Sequence, residues 1–529
     1  MKKLTSLNAG RIVLLSAALL ATVGASKTLA QNIFTPGDLL VSSSTYAGTA
    51  GTVVVGQTLP ITPAATASNN GAYFQVFNNE TPDPNFGITS PITITQITPA
   101  GAGTGVVVNV PGTYLNTSFS SKSELGLNLS TNGTAVTFMA YPAAANQLDL
   151  SNSATPGNDF SGDTDVAPAT FRAIGQLNAD GILTPPTEII DYSGDNARNA
   201  ILANGSYYTV GASASANVAL AGAEMVTPGV APGTTGLNST SLGTFSTKDS
   251  ANNFRGMTIF NNTLYATKGS GGASKSVDTV YQVGDAGTLP TGTGNAITIL
   301  PGFNTTTQGN TTAGGPHPFG IWFANATTLY VADEGTGLIA DIQQNGTPSF
   351  NGNNSFAGLE KWILNTTTNQ WTQAYTLTSG LNIGVNYFVS GSVGGATGTY
   401  RTATDGLRNI TGKVNGDGTA TIYAITSTAS TEDGTNNAID EGCDPNKLVA
   451  ITDTVSDTTA SQASSESFTT LQAAVYGQVL RGVSFTPSAP TAIDSPTMPV
   501  WALFLLGVLL VLVASGFLPK QSPRLAVGN

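Results

Sequence analysis

Short apolar runs separated by polar turns set the pattern of this chain, and residues 253–267 show the unit most clearly. Met257, Ile259 and Phe260 end one strand, Asn261-Asn262 supplies a tight turn that accepts positive φ, and Leu264-Tyr265-Ala266 begins the return strand, so a β-hairpin is expected. The phrase recurs at 123–138 around Asn132-Gly133, at 197–208 around Asn204-Gly205, at 318–331, at 407–424 and, shortened, at 480–485. Taking Glu124, Arg198, Arg255, Phe319, Arg408 and Arg481 as equivalent markers gives spacings of 74, 57, 64, 89 and 73 residues. A long, variable period of this kind predicts stacked units with insertions rather than a solenoid of fixed pitch.

After each hairpin comes a second pair of strands: 171–174 with 187–190, 280–283 with 296–300, 359–364 with 371–377, and 447–452 with 468–473. Four strands per unit describe a propeller blade. The unit from Arg198 is the least defined, because 212–223 has little periodicity. At the ends of the body, 481–487 offers an inner strand and 37–42 a second strand lacking its first. With 92–97 and 106–110 outside them, these make one shared blade that closes the ring and removes open sheet edges. The expected fold is all-β, a six-bladed β-propeller; seven blades is the alternative if the strands at Leu39 and 73–77 form a blade of their own.

Residues 1–30 carry Lys2, Lys3 and Arg11, an apolar run over 12–23 and a small-residue site at Thr28-Leu29-Ala30, the pattern of a signal peptide. Residues 500–518 contain no charge and, at about 1.5 Å per residue, are long enough to span a bilayer core of about 30 Å. Lys520 and Arg524 follow, which predicts a cytoplasmic tail at 519–529. The propeller then occupies 31–490, outside the cytoplasm, with a linker at 491–499. The approach Ser495-Pro496-Thr497-Met498-Pro499-Val500-Trp501, with the span and basic tail, resembles the tripartite C-terminal sorting signals of exosortase-type systems. That resemblance implies a segment processed at the cell surface; a plain single-span anchor is the other expectation.

Charge narrows the partners. Setting aside the six basic residues of the two ends leaves 13 basic against 31 acidic residues, a net of −18, which argues against nucleic acid and anionic membrane surfaces. Only 9% of residues are charged, against about 25% in ordinary soluble domains, and polarity comes from Ser, Thr, Asn and Gly instead. Cys443 is the one cysteine, so no internal disulfide forms and the fold stands on its core.

The wording of 123–125 through Asn132-Gly133 to Ala140-Tyr141, of 298–303, of 328–334 and of 481–485 resembles a family of exported bacterial β-propeller-like proteins with no assigned activity. The resemblance covers most of the body and implies fold and location only.

One site-like pattern stands out. Arg198, Arg255, Arg408 and Arg481 begin inner strands, with Glu124 and Phe319 in the other two places, so a ring would gather them at one channel mouth. Four guanidiniums there form either an anion-binding ring for a uronate, sulfate or phosphate, or staples that pair with carboxylates and blade-end carbonyls. His317, the only histidine, lies beside the same mouth between prolines; it reads as a turn residue, since no Gly-x-Ser-x-Gly elbow accompanies it. No catalytic residue, cofactor or metal site is assigned: one His and one Cys are too few for zinc. The acidic stretches at Asp159, Asp163 and Asp165, and at Glu432, Asp433, Asp440, Glu441 and Asp444, lack EF-hand spacing and read as solvated loops.

The expected function is a monomeric, non-enzymatic propeller on the cell envelope that binds a glycan, matrix polymer or protein partner, with an acidic glycan or envelope protein as the candidate ligand. A hydrolase or lyase acting on an anionic polysaccharide is the alternative. A quinoprotein-type oxidoreductase ranks third, because its repeated Trp docking motifs are missing from a chain with four Trp.

Overall fold

The computed structural model describes residues 33–489 except 60–65, 81–85, 122, 159–168, 214–220, 233–237, 244–252, 270–276, 307–314, 338–356 and 431–441. The signal peptide at 1–30, the linker, the span at 500–518 and the basic tail lie outside the described residues, and none of the helices described is long and apolar enough to cross a membrane.

Six antiparallel sheets form the blades. Blade one combines the two ends of the body in the order Gln478–Phe485, Leu39–Thr45, Ile92–Ile97 and Gly103–Asn109. Leu39 faces Phe485 on one side and Ile97 on the other, so the shared-blade expectation holds and the seven-blade alternative does not. The 73–77 stretch forms no strand; a 3-10 turn at Gln75–Glu80 replaces it. Blade two runs Asn128–Leu129, Ala135–Ala140, Arg172–Asn178 and Thr187–Ile189, and blade three Ala197–Ala203, Ser206–Gly211, Gly222–Val226 and Ser239–Gly243. Blade four runs Met257–Phe260, Thr263–Lys268, Thr279–Val283 and Ile297–Ile299, and blade five Pro318–Asn325, Thr328–Asp333, Gly358–Asn365 and Gln370–Leu377. Blade six departs from four strands: Ala396–Val414, Thr419–Ser430, Lys447–Thr454 and Thr469–Ala473 are joined by Asn386–Val393, which pairs with the first half of the long inner strand.

Turn chemistry follows the sequence. Asn261 and Asn262 adopt φ of 46° and 58°, and Asn204 and Gly205 adopt 50° and 81°, the positive values that a two-residue hairpin turn requires.

The core lies between blades. Alternate residues of each strand face opposite neighbours: Leu40 packs toward blade two, while Leu39 and Val41 pack toward blade six. Likewise Phe138 faces blade one and Met139 blade three. Six apolar clusters join successive pairs of blades, and the sixth joins blade six to blade one. A seventh, aromatic cluster of Tyr46, Tyr73, Phe77, Phe119, Tyr400 and Tyr476 packs the 46–88 insertion onto the ring.

At the axis the inner strands approach so closely that side chains are excluded. A Cβ on Gly256 would collide with the Phe319 carbonyl, one on Gly320 with the Arg408 carbonyl, one on Gly482 with the Leu127 amide and one on Gly126 with the Asn199 side chain. Asn199 and Asn409 fill the remaining places and bond the next blade: Asn199 Nδ2 donates to Arg255 O at 2.6 Å, and Asn409 Oδ1 accepts from Val483 N at 2.7 Å. This ring of close approaches forms a waist. Beyond it the inner strands enclose a well of about 260 Å³ walled by Thr258, Trp322, Thr411, Ser484 and Phe485 among others.

Overpacking a filled site typically costs about 1–3 kcal/mol. Gly256→Ala is therefore expected to lower unfolding free energy by that amount in urea titration, while Gly416→Ala, in an open turn with nothing within 4 Å, leaves it unchanged.

Candidate functional site at the arginine end of the axis

Arg198, Arg255, Phe319, Arg408 and Arg481 each directly precede the residue of their inner strand that lies at the waist, and Glu124 stands two residues ahead of Gly126. Arg198 is the second residue of Ala197–Ala203, and Arg255 stands two residues ahead of Met257–Phe260, its backbone N–H donating to Thr267 O at 2.8 Å. Arg481 lies within Gln478–Phe485 and Arg408 midway along Ala396–Val414, while Glu124 precedes Asn128–Leu129 and His317 directly precedes Pro318–Asn325.

Three arginines converge on one short segment, 119–123. Arg481 donates from Nη1 to Ser121 O and from Nη2 to Phe119 O. Arg198 Nη1 donates to Ser123 Oγ, and Arg255 Nη1 reaches the same hydroxyl at 3.4 Å. Arg408 engages Glu334 through Nε at 3.2 Å, and Arg198 has a second contact with Asp195 at 3.5 Å. The residues Arg198, Arg255, Arg408 and Arg481 are 4, 9, 3 and 4% exposed. All four are thus buried and bonded to the protein. Leu125, at the end of this segment, adopts φ 64°, a conformation that leucine seldom tolerates unless its surroundings impose it.

Burial holds Arg198 down to about 10; the neighbouring Arg255 charge pushes the same way, and Asp195, Glu124 and Glu334 oppose it. Glu124 is buried and accepts from Tyr141 Oη, from Thr117 Oγ1 at 3.2 Å and from Ser118 N at 3.3 Å. Burial raises its carboxyl, against those bonds and the charges of Arg481 and Arg172.

His317 straps blade five to blade four. Its Nδ1 donates to Gly269 O at 2.7 Å, its backbone N–H donates to Asp333 Oδ2 at 2.5 Å, and its carbonyl accepts from Glu334 N at 3.0 Å. Burial pushes Asp333 up to about 6, with the His317 charge pulling it down. The imidazole bond to a carbonyl, rather than to a carboxylate and a hydroxyl, is the geometry of a positioned turn and not of a triad.

Sequence reasoning missed three buried cations. Arg172 is fully buried, donating to the carbonyls of Ser151, Ser153, Thr170 and Asp195 and lying 5.3 Å from the Tyr141 ring. Lys361 pairs with Asp453 at 2.7 Å and donates to Tyr375 Oη and Thr454 O, joining blades five and six. Lys268 pairs with Asp278 at 2.7 Å inside blade four. The signal was present in the sequence: each cation sits in or at the end of an apolar strand run, where only a paired charge is tolerated.

Among the described residues, no group of three or more His, Cys, Asp or Glu side chains could hold a metal ion. Asp159, Asp163, Asp165, Glu432, Asp433, Asp440 and Glu441 lie outside the described residues. Asp444 corrects the solvated-loop reading: it is buried, accepting from Tyr400 Oη at 2.6 Å and from Thr402 Oγ1 at 3.0 Å.

No protein-family model and no curated protein matches the sequence. Among solved structures the chain is similar to dipeptidyl peptidase 4 of Porphyromonas gingivalis, at 8% identity and a TM-score of 0.25, over 70% of this chain and 49% of that one. It is also similar to cobalt-substituted apocarotenoid oxygenase of Synechocystis, at 8% identity and a TM-score of 0.21, over 76% of this chain and 60% of that one. The chain therefore aligns with less than two thirds of either protein, and likenesses this distant carry no argument about chemistry.

The buried carboxyls set a pH dependence. Burial raises Asp191 to about 7, and raises Glu224 and Glu360 well above the ordinary range, so the folded chain holds protons that the unfolded chain has released. For a raised acid the stabilising contribution is complete below the unfolded pKa and is lost as pH climbs to the folded one. Each group then costs up to about 1.4 kcal/mol per pH unit across its window. Calorimetry is expected to show Tm falling from pH 4 to pH 7, and Asp191→Asn is expected to flatten that slope.

Proposed function

We propose that this chain is a non-enzymatic binding propeller displayed on the cell envelope, which recognises an acidic glycan, a matrix polymer or an envelope protein at the arginine end of its axis. One observation carries the reading: Arg198 and Arg255 approach the same uncharged hydroxyl, Ser123 Oγ. Beside the carboxylates that already face Arg198, two like charges brought to one neutral acceptor repel each other, and an anionic group docking there offsets that repulsion while gaining charge-assisted hydrogen bonds. The segment that presents Ser123 is fixed in turn by Arg481, so the acceptor does not have to be ordered when ligand arrives. Display outside the cytoplasm is supported by the signal-peptide pattern and by the uncharged run at 500–518 with its basic tail.

Titration of Arg198→Gln and Arg255→Gln against a soluble polyuronate, paired with melting curves, tests the site. Binding is expected to weaken by about 1–3 kcal/mol with Tm little changed, because hydrogen bonds to charged groups contribute on that scale. Unchanged binding with a lowered Tm assigns the pair to stapling alone.

Topology has its own check. Protease added to intact spheroplasts is expected to digest the propeller, and protection of the body refutes external display.

A further inference from the structure

Between blades four and five, beside His317, lies a cavity of about 110 Å³. Its walls include Phe303 and Trp362, Pro316 and Pro318, and the polar side chains of Thr279 and Glu360. The two aromatic rings stack at 3.9 Å and 19°, which makes a flat apolar side to the cavity. Trp362 Nε1 donates to Glu360 Oε2 at 2.8 Å, fixing both the indole and the carboxyl.

The remaining polar atoms are left over. Glu360 Oε1 and Thr279 Oγ1 have no hydrogen-bond partner among the described residues, although the two residues are 2% and 1% exposed. An unpaired buried polar atom costs about 1–3 kcal/mol, and folded proteins leave few of them. Two among the residues that line one cavity, together with an aromatic pair, mark a place where a ligand supplies the missing bonds.

The chemistry of the walls selects that ligand. Burial and the nearby negative charge of Asp333 push the Glu360 carboxyl well above the ordinary carboxylate range, the direction that favours the protonated form, which can both donate and accept. The Thr279 hydroxyl has the same dual capacity. The cavity therefore offers donor–acceptor groups together with an aromatic face. A carboxylate or sulfate finds no cation in these walls and meets Asp333 close by. A pyranose ring matches this chemistry, with adjacent hydroxyls along its edge and C–H bonds across its face.

We infer that the cavity between blades four and five is a subsite for a neutral hydroxylated ring, a single pyranose unit of a glycan, seated against Trp362 and hydrogen-bonded to Thr279 and Glu360. The inference rests on the glycan-binding reading given above and adds a neutral subsite to the anionic one. Together the two describe a ligand whose units alternate or mix in charge.

Saturation-transfer NMR on the full-length chain with the methyl glycosides of glucose, galactose and mannose tests it. At least one glycoside is expected to receive saturation from the wild type. Thr279→Val removes an already unpaired hydroxyl at nearly constant volume, so the variant should melt no lower than its parent while its Kd rises about fivefold or more. Glu360→Gln keeps a donor and an acceptor and should bind within about twofold of wild type, and Arg198→Gln should leave glycoside binding unmoved. Absence of saturation transfer to all three glycosides, or equal binding by Thr279→Val and wild type, overturns the subsite. A polyuronate titration on the same samples separates the two ideas: polyuronate binding without glycoside binding removes the subsite and spares the arginine end, glycoside binding alone does the reverse, and silence in both arms removes the glycan reading altogether.

Discussion

Six inner strands have to meet around one axis, and the space there does not admit a side chain at every blade. Gly126, Gly256, Gly320 and Gly482 answer this constraint by having no Cβ, and Asn199 and Asn409 answer it by turning their amides into hydrogen bonds with the adjoining blade. The waist fixes which residue of every inner strand, or just ahead of it, makes the closest approach to its neighbour. It therefore fixes where the residue just before it points, and in four blades that residue is arginine. The arginine end follows from the geometry of closure as much as from any selection for charge.

Charge is scarce in this chain, and much of it is buried. Arg172, Lys268 and Lys361 each sit in an interior position with partners arranged around them, and the marker arginines bond carbonyls, hydroxyls and carboxylates. Such pairs add little net stability against an apolar alternative, because desolvation offsets most of the attraction. What they do supply is angular definition: a guanidinium that spans the carbonyls of Phe119 and Ser121, in the segment ahead of blade two, from a strand of blade one fixes where that segment lies against blade one.

Most of the fold was legible in the sequence, because strands buried on both faces between blades keep apolar residues at nearly every position and Asn-Gly or Asn-Asn turns mark their ends. The outer strands of blade three were faint, since Gly222–Val226 breaks its apolar run with Glu224 and Ser239–Gly243 is built largely from Ser, Thr and Gly. Blade six was read as four strands because Asn386–Val393 alternates half-buried and exposed positions without a strong apolar signal. The place of each arginine directly ahead of a waist residue followed from repeat position. Their partners did not: Ser121 and Ser123 lie more than seventy residues from the arginines they bind, and nothing local to either marks the pair. The same holds for Thr279 and Glu360, which are ordinary strand residues until blades four and five are set side by side.

The pairing of Leu39 with Phe485 joins the two extremes of the described body. Closing a loop of that length costs more chain entropy than any hairpin within a blade, so the other sheets gain their local contacts first. Until Gln478–Phe485 arrives, Leu39–Thr45 presents an unpaired edge and the faces of blades one and six have no cover between them. Blade one is thus the seam of the ring: assembly finishes there, and mechanical or thermal opening starts there, with the five covalently continuous blades held together on either side.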